Sequence, residues 1–177
     1  METENKLNWK AEIMAWVESF AVGLALVWLL HTFVAEPFIV EGASMNPTLQ
    51  TQERVVVSKF PYWFEEPQKN DVIVFEFQRD PSRNFIKRVI ATGGDTIEIT
   101  GGTVYVNDQP LKEDYIKETT RTEYPKTVVP EGTVFAMGDN RNNSLDSRFE
   151  DVGFIKLDAI KGKANVVMWP LAAMKLL

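Results

Sequence analysis

The chain has 0 Cys and a single histidine in 177 residues. Without cysteine there is no disulfide framework, no thiolate nucleophile and no cysteine-held metal. The one histidine, His31, falls inside an apolar run near the N-terminus. A Ser-His-Asp arrangement in the rest of the chain is therefore excluded. Positive charge is also scarce, with 19 Lys+Arg against 25 Asp+Glu, a net charge of −6 and a pI near 4.9. That balance argues against a nucleic-acid binder, which carries a basic patch. No internal repeat and no low-complexity tract interrupts the sequence. What remains is 45% apolar and 25% charged, the composition of a folded chain with room for one ordinary domain and an appendage.

The appendage comes first. Residues 1–10 are short and polar, and residues 13–35 then carry one formal charge, Glu18. As a helix the run is about 35 Å long, enough to cross a hydrocarbon core of roughly 30 Å. Trp9 and Trp16 sit where aromatic side chains anchor at an interface. A cleaved signal peptide fits less well, because Phe33 is large where a small residue is needed before a cut after Ala35. A buried soluble helix is the other reading. The sequence predicts an uncleaved anchor over 11–35, a cytoplasmic N-terminus over 1–10 and an outer domain over 36–177. The orientation follows from Lys6 and Lys10 on one flank against Glu36 and Glu41 on the other.

After Pro37 the period changes from helical to two-residue alternation. Strands are predicted at 38–40, 54–59, 71–77, 133–137 and 164–169, with a hairpin at 96–106 turning on Gly101-Gly102 and closed by turn residues at 107–110. Residues 112–126 read as an exposed loop or extended edge, and 152–160 as holding a short helical turn. The aromatic stretch 60–64 fits core packing or a surface dipping into the membrane equally, and the apolar end 169–177 fits a core or a bilayer contact. The domain reads as mostly β, of sandwich or barrel type.

Chemistry is concentrated in three stretches. Glu41-Gly42-Ala43-Ser44-Met45-Asn46-Pro47-Thr48-Leu49 presents one serine among small residues, and a serine nucleophile needs an exposed hydroxyl and a nearby base. With histidine excluded, lysine can take its place as the base, provided burial lowers its pKa. Phe85-Ile86-Lys87-Arg88-Val89-Ile90-Ala91 embeds a lysine in an apolar strand, with Lys87 sharing a face with Phe85 and Val89. Lys59 is a rival on the same argument. The third stretch, Gly138-Asp139-Asn140-Arg141-Asn142-Asn143-Ser144-Leu145-Asp146-Ser147-Arg148, is dense in carboxylates, amides and arginines. A calcium loop is one reading, but the EF-hand spacing is missing; a polar network supporting a site fits better.

In this order, Ser44 through Leu49, Lys87 through Asp95, and Gly138 through Arg148 resemble the motifs of bacterial type I signal peptidase, in the short single-anchor form of Gram-positive bacteria. The resemblance implies a signal-peptidase-like β-sheet or barrel catalytic domain with one N-terminal transmembrane helix. It also implies a membrane-bound serine endopeptidase on the outer face of the cytoplasmic membrane, cutting secretory preproteins after small-x-small sites. Ser44 then matches the nucleophile, Lys87 the general base and Ser144 a hydroxyl that orients the lysine. Asp146, Arg148, Arg88 and Asp139 match supporting charges. The oxyanion donor is the backbone of Ser44, with Gly42 at the position where some members add a serine hydroxyl. No cofactor, metal or nucleic acid is called for; membrane lipid and the export translocon are the expected partners besides substrate. Two other readings remain: a self-cleaving Ser-Lys domain like that of the SOS-response repressors, and a non-enzymatic anchored β domain that binds peptides.

Overall fold

The computed structural model describes residues 9–29 and 35–177. His31, the polar start 1–8 and the end of the apolar run at 30–34 lie outside them. Helix α1 (Trp9–Leu29) is one unbroken element of 21 residues, about 32 Å long. Its residues 9–28 are exposed throughout. A soluble core helix would bury one face, so that reading does not describe α1. It is long and apolar enough to cross a membrane.

The rest is antiparallel β. The larger sheet contains β1 (Ala35–Ile39), β2 (Arg54–Ser58), β3 (Val72–Glu76), β4 (Asn84–Thr92), β9 (Thr133–Met137), β10 (Ile155–Lys156), β11 (Ile160–Trp169) and β12 (Lys175–Leu176). Its order is β1-β2-β11-β3-β4-β9-β10, with β12 paired to β11. The smaller sheet runs β7-β6-β5-β8, from β5 (Thr96–Thr100), β6 (Thr103–Val106), β7 (Gln109–Pro110) and β8 (Tyr124–Val128).

Alternation in the sequence explains where the core lies. Val55 and Val57 of β2 turn inward with Val40, Leu49, Val74 and Val167. Phe75, Val89 and Val134 form a second cluster. In the third, Ile90, Phe135 and Met137 of the large sheet meet Ile97, Ile99, Val104 and Val106 of the small one. That contact is where the two sheets pack. In β4 the predicted alternation appears directly: Phe85 packs with the Val89 cluster, Ile86 with the Val55 cluster.

The β5–β6 hairpin turns on Gly101 (φ 56°) and Gly102 (φ 80°), the left-handed backbone that a tight hairpin requires. Some expectations need correction. Strand β11 begins at Ile160, not 164, and lies between β2 and β3 instead of closing the chain. Gln109–Pro110 leaves the turn and pairs with β6. In the aromatic stretch, Tyr62 packs inward, with its hydroxyl donating to Asp71 at 2.9 Å. Phe60, Trp63 and Phe64 stay 50%, 54% and 74% exposed, edge-stacked on one another. The C-terminal end divides the same way: Ala173 and Leu177 pack against the core, while Trp169, Leu171, Met174 and Leu176 face outward.

Candidate active site

The segment after β1 folds as a compact turn because its apolar residues reach inward: Met45 is 1% exposed and Leu49 0%. Asn46 N–H donates to Ala43 O (3.2 Å) and Leu49 N–H to Met45 O (2.8 Å). Ser44, just before the first of these anchors, is left half-buried at the rim. Gly42 has φ +85°, a conformation that costs an L side chain roughly 1–2 kcal/mol. That is a physical reason for glycine at this position, and it leaves no side-chain hydroxyl there.

Lys87 comes from the middle of β4. Its Nζ donates to Ser44 Oγ at 2.9 Å and to Ile86 O at 3.0 Å, and stands 5.0 Å from the Phe85 ring centre. The residue is 4% exposed. Burial lowers its pKa from the ordinary 10.5 to about 8, against the opposing pull of Asp146 and Asp139. Those two carboxylates would hold the ammonium charged if they were free, but each is paired with an arginine.

Arg88, the next residue on β4, donates from Nε to Asp139 Oδ1 (2.9 Å) and from Nη2 to Asp139 Oδ2 (2.7 Å). Arg148 does the same to Asp146, Nε to Oδ1 and Nη2 to Oδ2, both 2.8 Å. Both pairs are buried, where a two-pronged guanidinium–carboxylate match offsets the desolvation of the charges. The calcium-loop reading loses its ligands to these arginines. Asp146 Oδ2 also accepts Gly138 N–H at 3.0 Å, which closes the loop on itself.

Glycine at 138 is a matter of space. A Cβ there would lie 2.3 Å from Ser144 Oγ and 2.4 Å from Ser44 O, so two chain segments meet at that point. Ser144 is thus brought against the loop that carries Ser44. Its buried Oγ has no hydrogen-bond partner, however, and the lysine contact implied for it is not made in this structure. Lys59 forms an ion pair with Glu36 at 3.1 Å and is a third exposed, in contrast to the buried Lys87.

Several participants carried no sequence signal. Residues 112–126 read as an exposed loop or extended edge, yet Glu113 forms a buried, two-pronged pair with Arg141, Tyr115 stacks 4.2 Å from Arg88, and Thr120 accepts from Arg148 at 2.7 Å. The burial that makes these contacts matter is created only by the fold. Asn140 stood in the motif without a role; it donates to both carbonyls flanking the Ala43–Ser44 link.

Ser44 and Lys87 open onto a cleft of about 810 Å³ lined by Phe38, Val40, Asn84 and Ile86 among others. Strand β1 ends the sheet, so one of its edges is unpaired among the described residues. Strand β9 joins β4 only from Arg88 onward, leaving the Asn84–Ile86 edge open as well. Two free strand edges beside a serine and a buried amine suit nucleophilic attack on an extended peptide.

Comparison with known proteins gives one family. Residues 13–169 match the family described as signal peptidase, peptidase S26. The chain is 45% identical over 156 residues to a probable signal peptidase I-1 of Synechocystis, covering 84% of this chain and 79% of that one. It is 39% identical to a signal peptidase I of Leptolyngbya laminosa (90% and 81% covered). To signal peptidase I P of Bacillus subtilis subsp. natto it is 34% identical, with 92% of each chain covered.

Proposed function

The chain belongs to the signal peptidase family of S26 peptidases, and from that membership we propose a membrane-anchored Ser-Lys endopeptidase that removes signal peptides from exported preproteins. The observation that carries the dyad is the 2.9 Å approach of Nζ of the buried Lys87 to Ser44 Oγ. Neutral Lys87 takes the Ser44 proton as Oγ attacks the scissile carbonyl, and the resulting ammonium protonates the leaving amine. The same amine then activates the water that hydrolyses the acyl-enzyme. The backbone N–H of Ser44 faces the developing oxyanion, a contribution of a few kcal/mol. Asp139, Asp146, Arg88 and Arg148 hold the site without adding net charge to it, two negative against two positive. For Ser144, an orienting role takes a side-chain rotation toward Nζ.

The substrate pairs as an extended strand along the open edges of β1 and β4, with small residues at −1 and −3 in the cleft. Helix α1 spans the bilayer once, the domain from residue 36 lies on the extracytoplasmic face, and Phe60, Trp63 and Phe64 rest in the lipid interface. Their exposure and mutual stacking support that contact. A neighbouring translocon supplies the preproteins.

The test is cleavage of a purified preprotein by the full chain in lipid, with mass spectrometry locating the cut. Wild type cuts after a small-x-small sequence, and folded Ser44→Ala and Lys87→Ala do not. Activity persisting in Lys87→Ala refutes the dyad; a lipid-embedded wild type that cleaves nothing refutes the peptidase.

A further inference from the structure

The nucleophile loop is held by a residue 97 positions away in sequence. Asn140 donates its backbone N–H to Ser44 O at 2.9 Å and its side-chain Nδ2–H to Ala43 O at 3.0 Å. Ala43 O belongs to the same peptide unit as Ser44 N–H. That unit is trans, since the cis bonds among the described residues are Asn46–Pro47 and Trp169–Pro170. In a trans peptide the C=O and N–H point in opposite directions across one rigid plane. Fixing Ala43 O against Asn140 therefore turns Ser44 N–H away from Asn140. Among the described residues Ser44 N–H donates to no protein acceptor.

Asn140 is itself immobilised. Its own C=O accepts Asn143 N–H at 2.9 Å, and its neighbour Asp139 is clamped by Arg88. Glycine at 138 permits the close approach of this loop to Ser44 O. A second donor, Asn46 N–H, reaches Ala43 O at 3.2 Å from within the turn, but among the described residues Asn140 alone hydrogen-bonds this plane from outside the turn.

We propose that Asn140 is the positioning residue of the oxyanion site: its side-chain amide sets the tilt of the Ala43–Ser44 peptide plane and so aims the Ser44 N–H at the tetrahedral intermediate. The inference rests on Ser44 being the nucleophile. Asn140 does not line the cleft and makes no hydrogen bond to Lys87, so its effect falls on the transition state and not on ground-state binding. The Nδ2 contact has a further consequence. An aspartate of the same shape places a carboxylate oxygen against Ala43 O, reversing an attraction into a repulsion.

The experiment compares wild type, Asn140→Ala, Asn140→Asp and Ser44→Ala as full chains in lipid or detergent. Each is measured for kcat, KM and inhibition by a substrate-like peptide aldehyde and by the matching peptide alcohol. The aldehyde adds to Ser44 and forms a tetrahedral centre, whereas the alcohol binds without reaction. In Asn140→Ala, kcat falls roughly 10- to 100-fold, with aldehyde affinity falling in parallel, as misaiming a single oxyanion donor implies. KM and alcohol affinity stay near wild type, as does the pH at which activity rises. Asn140→Asp shows a larger loss at a pH where the lysine is neutral. If Asn140→Ala fails to unfold cooperatively, Asn140→Asp, which conserves the shape, carries the test. Unchanged kcat, or equal loss of aldehyde and alcohol binding, overturns the inference while leaving the dyad intact. Cleavage by Ser44→Ala would instead remove the nucleophile itself.

Discussion

Replacing Gly138 by alanine adds one methyl group at the point where the 138–148 loop meets the loop that carries Ser44. The new carbon would sit 2.4 Å from Ser44 O and 2.3 Å from Ser144 Oγ. Ordinary carbon–oxygen contact begins near 3.3 Å, so the loops must part by roughly 1 Å. Ser144 can turn aside, but Ser44 O is backbone and is already fixed by Asn140 N–H at 2.9 Å. The strain therefore moves Ser44 relative to Lys87. A displacement of that size costs about 100-fold in rate when it spoils the attacking geometry. Overpacking adds about 1–3 kcal/mol of destabilisation, a drop in Tm of several degrees for a domain this size. The assay is kcat/KM on a signal-peptide substrate together with thermal unfolding. Gly132→Ala is the control: Gly132 has φ +73° with open space around a Cβ, so strain alone acts there. It loses stability and keeps kcat. A folded Gly138→Ala with wild-type kcat would refute the claim that contact at this glycine sets the position of Ser44.

Four other outcomes follow from the structure. With the Lys87 pKa at about 8, the neutral fraction rises from roughly a tenth at pH 7 to nine-tenths at pH 9, so chemistry-limited kcat/KM climbs about tenfold; a flat profile from pH 6 to 9 rules out the lysine base. The same shift affects stability: below about pH 8 both states hold the proton and the buried ammonium costs on the order of 3 kcal/mol, and between about 8 and 10.5 the unfolded chain binds more protons, so stability rises with pH. Lys87→Met accordingly withstands more denaturant than wild type at pH 7, and the gap narrows above pH 8. Arg88→Met strands Asp139 in the core and destabilises by about 3–5 kcal/mol, while adding Asp139→Asn recovers part of that in a double-mutant cycle; additive effects would show the pair uncoupled. Changing Phe60, Trp63 and Phe64 together to serine lowers cleavage severalfold in vesicles and leaves cleavage of a soluble peptide in detergent unchanged, and equal activity in both settings removes the interface contact.

The comparison of sequence with fold is clearest at β11. The strand is expected from 164, but it begins at Ile160 and runs through Lys161-Gly162-Lys163. In the sheet, a Cβ at Gly162 would lie 2.5 Å from Ser58 O, so the glycine permits close approach of β2. Local pattern cannot separate a glycine that ends a strand from one that lets a neighbour in. In 112–126 the edge is there, as β8 from Tyr124, but the burial before it is not legible for a similar reason. Glu113, Tyr115 and Thr120 look like solvated residues until Arg141, Arg88 and Arg148 are brought beneath them.

By itself the sequence determined whatever depends on near neighbours. The apolar run dictates a long helix, alternation in 85–91 places Lys87 with Phe85, and Gly101-Gly102 dictates a hairpin. Residue type alone excluded histidine and cysteine chemistry from the β domain. Only the tertiary structure decided the rest. Lys87 meets Ser44 across 43 residues, and Asn140 meets Ala43 across 97. The lowered lysine pKa requires burial together with two carboxylates already neutralised by arginines. Desolvation and paired charge are properties of a packed volume, and a linear chain has none until it folds.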